Sequence, residues 1–136
     1  MSERPVQIVF VCGENACRSQ IAEAFARRYG GDRVQAYSAG STPRGQVDPI
    51  AIAVMEEKGV SMQTHASKGL AALPQQTWDV VVGMGCGDEA CAVLPTKKRI
   101  NWQIPDPAQH PIEIYRQVRD VINGAVQILI EQITGA

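Results

Sequence analysis

Apolar residues recur along this chain in two rhythms, and their alternation sets out the architecture. The run PVQIVFVC is compact, β-branched and aromatic, which predicts a buried strand ending near Cys12. From Ser19 the apolar positions Ile21, Ala22, Phe25, Ala26 and Tyr29 fall at helical spacing, and Gly30-Gly31 marks a stop. RVQAYSAG predicts a second strand. Asp48 and Pro49 suit an N-cap and a first-turn proline, with Lys58-Gly59 at the end of that helix. A short helix is expected from Ser67 to Leu73, a third strand in WDVVVGMG and a weaker fourth in KKRINWQI. After Pro111, the positions Tyr115, Val118, Ile122, Ala125, Leu129 and Ile133 form one stripe, while Arg116, Arg119, Asp120, Asn123, Gln127 and Glu131 face away. The two histidines, His65 and His110, are expected at the surface or as caps, and Trp78 and Trp102 as packing at strand ends.

Strands that alternate with helices and carry continuous apolar runs imply an α/β fold, a parallel sheet covered on both faces. Such sheets bind ligands outside the carboxyl ends of their strands. Cys12, Cys86 and Asp106 follow the first, third and fourth predicted strands, so all three converge at that edge.

Bulk properties narrow the function. A chain of 136 residues with 45% hydrophobic and 20% charged residues reads as one ordinary globular domain, residues 1–136. Its net charge of −1 offers no global field for nucleic acid or a membrane surface, so any anion binding must be local. No basic leader and no bilayer-length apolar run is present, and the expected compartment is the cytoplasm. In that setting four cysteines favour catalysis or metal binding over permanent bridges.

The chemistry concentrates in VCGENACRSQ, where Cys12 is followed by five residues, then Arg18 and Ser19, as a helix opens. First-turn N–H groups lack intrahelical partners, and the helix dipole adds partial positive charge. A loop of Gly13, Glu14, Asn15, Ala16 and Cys17 curled around Cys12 can aim several N–H groups at one tetrahedral oxyanion, and Arg18 adds a planar fork. The same field favours thiolate at Cys12, and Ser19 can donate to the sulfur. A buried cysteine at a strand end is by itself ordinary packing; Arg18, Ser19 and the strand-to-helix setting make it an anion site. Cys17 sits inside the loop and is expected to be structural. Glu14 is expected to point outward, since facing the anion would repel it.

CGENACRSQIAEAF, YSAG, the Cys86/Cys91 pair and Asp106-Pro107 together resemble the thioredoxin-coupled arsenate reductases, which share the low-molecular-weight tyrosine phosphatase fold. The resemblance covers essentially the whole chain. It implies a single-domain three-layer sandwich: a four-stranded parallel sheet, order 2-1-3-4, with helices on both faces. It also implies Cys12 as nucleophile, Arg18 and the loop amides as oxyanion ligands, and Asp106 as general acid. Cys86 and Cys91 would carry a thiol relay, the glycines at 83, 85 and 87 giving the Cys86 loop room to move. No cofactor is bound in such a reaction. The electrons come from an external thiol: thioredoxin, or glutathione with glutaredoxin, or mycothiol. Phosphate and sulfate are related oxyanions for the same loop. Some members hold a potassium ion on Asn, Glu, Ser and Asp; Asn15, Glu23 and Ser38 match the first three, and Lys68 stands at the fourth, where its ammonium could replace the cation. Gly13 and Glu14 depart from the family's commonest loop, and only GDEA separates Cys86 from Cys91, fewer residues than in the well-known members. The segment DPAQHP lacks the aromatics with which phosphatases of this fold flank a phenyl ring. Two alternatives stay open: a tyrosine phosphatase, and a structural zinc held by the two Cys-x4-Cys pairs.

Overall fold

The computed structural model describes residues 4–84 and 94–135. Strands β1 (Val6–Val11), β2 (Val34–Ala39), β3 (Trp78–Gly83) and β4 (Thr96–Asn101) form one sheet in the order β2-β1-β3-β4, every pair parallel. Helices α1 (Arg18–Gly30), α2 (Pro49–Glu56) and α3 (Ile112–Thr134) connect and close it. The predicted order 2-1-3-4 is the observed one.

The pleat sorts the strand residues between two cores. Ile8, Phe10, Val80 and Val82 point to the face that α1, α2 and α3 cover, where Phe25, Met55 and Ile122 pack with them. Val9, Val11 and Val81 point to the other face and meet Leu73 and Trp78. On that second face the helix expected from Ser67 to Leu73 is a single 3-10 turn, Leu70–Ala72. Pro74 follows closely and bars a longer helix. Trp78 is buried edge-on against Tyr37, with ring centroids 5.1 Å apart, and Trp102 leans on Phe10.

Helix α2 starts as its sequence dictates: Asp48 accepts the Ile50 N–H at 2.9 Å and Pro49 opens the first turn. The stripe on α3 is shifted from its expected positions. Tyr115, Val118, Ile122 and Leu129 are buried, but Val126 and Ile130 take the places expected of Ala125 and Ile133. Arg119, expected to face solvent, is 5% exposed. Its guanidinium donates to Val54 O at 2.9 Å and to Glu57 at 2.7 Å, so it caps the end of α2.

Candidate active site

The loop after β1 is held from behind by the loop after β2. Thr42 N–H donates to Gly13 O at 2.8 Å, Arg44 N–H to Glu14 O at 3.0 Å and Asp48 N–H to Ala16 O at 2.9 Å. Ser67 Oγ adds a second bond to Glu14 O, and Gln20 Nε2 takes Asn15 O at 3.0 Å. The carbonyls of residues 13–16 therefore all turn outward. Because each peptide is planar and trans, the N–H groups that follow them turn to the concave side. Among the described residues, no backbone carbonyl accepts from the N–H groups of residues 13–20. Asn15 completes the curl with a φ of 50°, a left-handed conformation that asparagine tolerates.

A cavity of about 200 Å³ lies on that concave side. Cys12, Cys17, Arg18 and Asp106 all line it. Arg18 is anchored on one side of its fork, where Nη1 donates to Met84 O at 2.7 Å and Ile104 O at 3.0 Å. Nη2 lies 3.8 Å from the Asp106 carboxylate, which is 52% exposed. Asp106 also accepts the Ala108 N–H at 3.0 Å, an Asx turn that aims the carboxylate at the opening. Glu14 points outward and is 52% exposed.

Hydrogen bonds behind the loop leave the Ser19 proton free to point at Cys12. Lys68 N–H, which can only donate, gives to Asn15 Oδ1 at 2.7 Å. Asn15 therefore presents Nδ2 to Ser19 Oγ at 2.8 Å, and the serine proton is left for Cys12 Sγ at 2.9 Å. Cys12 is 3% exposed, so that bond is shielded from water. Cys17 is also buried; burial, then the Asp48 carboxylate, pushes its thiol up and keeps it protonated.

The same network gathers a second cluster. Glu23, 3% exposed, accepts from Ser38 Oγ at 2.5 Å and pairs with Arg27 at 2.6 Å. Lys68 Nζ stands 3.8 Å from Glu23 Oε1 and 3.4 Å from Ser38 Oγ. His65 is half-buried rather than a surface cap. The Gln20 amide gives its nitrogen to the carbonyls of Asn15 and Ala66, so its oxygen faces His65 at 2.8 Å and the histidine Nδ1 carries the hydrogen. Burial pushes this imidazole down. His110 is exposed in a turn.

Cys86 and Cys91 lie outside the described residues, as do Gly85 and Gly87. The sequence reading did not single out Gln20 or Arg44, and it took Asp48 as a helix cap and not as a residue of the site. Gln20 is a polar residue at full burial, and helical periodicity carries no mark for that. Arg44 and Asp48 had a positional signal: their loop follows β2, whose carboxyl end adjoins that of β1. No group of three or more His, Cys, Asp or Glu side chains that could hold a metal occurs among the described residues. Among them, too, no helix is long and apolar enough to cross a membrane.

The model of the family described as low molecular weight phosphotyrosine protein phosphatase matches residues 7–136. A glutaredoxin arsenate reductase of Synechocystis is 34% identical over 94% of this chain and 98% of its own. A solved structure described as an arsenate reductase in the phosphate binding state superposes with a TM-score of 0.84, at 32% identity over 94% of this chain and 98% of the other. A thioredoxin-dependent arsenate reductase of Corynebacterium glutamicum superposes at 0.80, with 30% identity over 98% of this chain and 64% of the other. The chain belongs to the low molecular weight phosphotyrosine protein phosphatase family and, within it, groups with the arsenate reductases.

Proposed function

We propose that the protein reduces arsenate to arsenite. The observation that carries this reading is the cavity itself. It sets one thiol, bonded to Ser19, beside a loop whose N–H groups meet no backbone carbonyl, with Arg18 and Asp106 at its side and no aromatic side chain among its described lining residues. A phenyl phosphate would need a flanking wall; a bare tetrahedral oxyanion does not.

The Cys12 thiolate attacks arsenic, the loop amides and Arg18 hold the oxygens, and a hydroxide leaves as water on the Asp106 proton. Cys86 as thiolate then attacks Cys12 Sγ. The sulfur–arsenic bond breaks, its electron pair stays on arsenic, and arsenite departs as a Cys12–Cys86 disulfide forms. Cys91 attacks Cys86, so Cys12 is freed and the disulfide becomes Cys86–Cys91. An external dithiol reduces it. Thioredoxin fits three thiols best, and a glutaredoxin-linked relative keeps glutathione with glutaredoxin in play beside mycothiol. Such reductants are maintained in the cytoplasm, where we place the reaction.

Treating reduced protein with arsenate and mapping disulfides by mass spectrometry tests this. Wild type should yield Cys86–Cys91, Cys91→Ser should trap Cys12–Cys86, and Cys12→Ser should yield neither and turn over no arsenate. Full thioredoxin-linked turnover by Cys91→Ser would remove Cys91 from the relay, and full turnover of that variant with glutathione and glutaredoxin or with mycothiol would assign the protein to the corresponding branch. Absence of any arsenate-dependent disulfide would refute the relay.

Lys68 belongs to the same proposal. Its ammonium stands beside Glu23 and Ser38 in place of a bound monovalent cation. Exchanging potassium for sodium at constant ionic strength should leave turnover unchanged; activation by potassium alone would refute this role.

A further inference from the structure

Among the described residues, three acids stand at the cavity and its rim: Asp48 and Asp106, and Glu14 with its side chain on the outer side. Against them stand two guanidiniums, Arg18 and Arg44. For a pocket that takes a dianion this is a poor balance, and Asp48 is the worst placed of the acids. It cannot swing away. Oδ1 caps α2 through Ile50 N–H, and Oδ2 accepts the Tyr115 hydroxyl at 2.5 Å. Its side chain is only 8% exposed, so water screens it little. The charge that anchors α2 to α3 therefore also repels any anion at the neighbouring loop.

We propose that Arg44 is a specificity-determining residue at the cavity rim, whose guanidinium offsets Glu14 and Asp48 and so lets a small tetrahedral dianion enter. Nη2 pairs with Glu14 Oε1 at 2.7 Å, and Nη1 lies 4.0 Å from Asp48 Oδ2. Its backbone N–H is bonded to Glu14 O, so the residue is fixed at the rim even when the side chain moves. Arg18 does not take over this role, because its Nη1 is tied to Met84 O and Ile104 O and its Nη2 lies beside Asp106. Without Arg44, Glu14 and Asp48 would keep no ion-pair partner among the described residues. The inference rests on reading the cavity as an oxyanion site.

Calorimetric titration of the reduced protein with inorganic phosphate tests it. Arg44→Gln should weaken phosphate binding about fivefold at low ionic strength, as expected for a partly screened charge at short range. The KM for arsenate should rise in step, with kcat within about twofold. The difference should shrink as salt is added. Arg44→Lys, which keeps the charge, should recover most of the affinity, and adding Glu14→Gln to Arg44→Gln should recover part of it. Unchanged phosphate affinity in Arg44→Gln would overturn the proposal. So would equal losses in the Gln and Lys variants that salt does not alter, since packing rather than charge would then be at work. A wild type that binds no phosphate would overturn it together with the reductase reading. If phosphate binding depends on Arg44 but arsenate is not reduced, the reductase reading fails and the role of Arg44 stands.

Discussion

Gly40 occupies a place that admits no side chain. A Cβ there would lie 2.5 Å from Gly13 O, 2.6 Å from Cys12 O and 2.8 Å from Asn15 N. All three are backbone atoms of the loop after β1, so none can rotate out of the way. Gly40→Ala should destabilise the protein by about 1–3 kcal/mol, the usual cost of overpacking. It should also weaken phosphate binding, because relief comes only by displacing the carbonyls that set the loop's N–H groups inward. Urea unfolding and phosphate titration measure the two effects, and a variant unchanged in both would mean that the loop is not clamped from behind. The sequence shows this glycine only as the end of YSAG, a strand terminus. What requires it is the backbone of a distant loop, and no local pattern records that contact. That Cys12 and Arg18 would line one cavity, with Ser19 on the thiol, was legible because the three sit close together where a strand gives way to a helix; the bonds of Asn15 and Gln20 behind Ser19 appear only once residues 15, 20 and 68 share one space.

Between elements, the junction of α2 and α3 shows why a helical face can be misread from polarity. Arg119 lies on the buried side because the end of α2 offers it a carbonyl and Glu57 a carboxylate. A cation satisfied in that way can be buried, and its stem fills apolar space. The paired guanidiniums of Arg116 and Arg119 hold the Glu57 carboxyl down from its ordinary 4.5 to about 2. A depressed acid favours the native state in its charged form. Its contribution is full above pH 4.5 and is lost as pH falls toward 2. Unfolding free energy should therefore decline across that window, and Glu57→Gln should flatten the decline. Chemical denaturation at a series of acid pH values checks it, and identical slopes in the two proteins would show that the pairs do not persist in solution. The boundaries of α1 and the cap of α2 were readable, since Gly30-Gly31 and Asp48-Pro49 act locally.

Across the molecule, one consequence of strand order decides where function sits. Because every strand pair is parallel, the carboxyl ends of all four strands lie at one edge, and with β1 between β2 and β3 the loop after β1 has a neighbour on each side. The cavity uses each of them. The loop after β1 supplies the thiol and amides, the loop after β2 supplies Arg44 and Asp48, Met84 after β3 tethers Arg18, and the segment after β4 brings Ile104 and Asp106. That convergence was visible in the element order, since it needs only parallel strands and their succession. Which loop closes over which was not, because loop contacts depend on side chains far apart in the chain. The arrangement predicts a global effect of a local ligand. An oxyanion seated on the loop amides and Arg18 binds the folded chain and not the unfolded one. At a hundredfold excess over its dissociation constant it should add about 2.7 kcal/mol, or roughly 10 °C in melting temperature for a chain of this size. Phosphate or sulfate should produce that shift where chloride at equal ionic strength does not. Arg18→Ala should abolish the difference between the anions, whereas Cys12→Ser should keep it, since serine leaves the ring of amides intact. Equal melting temperatures in sulfate and chloride for the wild type would mean that the edge where the strands converge is not an oxyanion site at all.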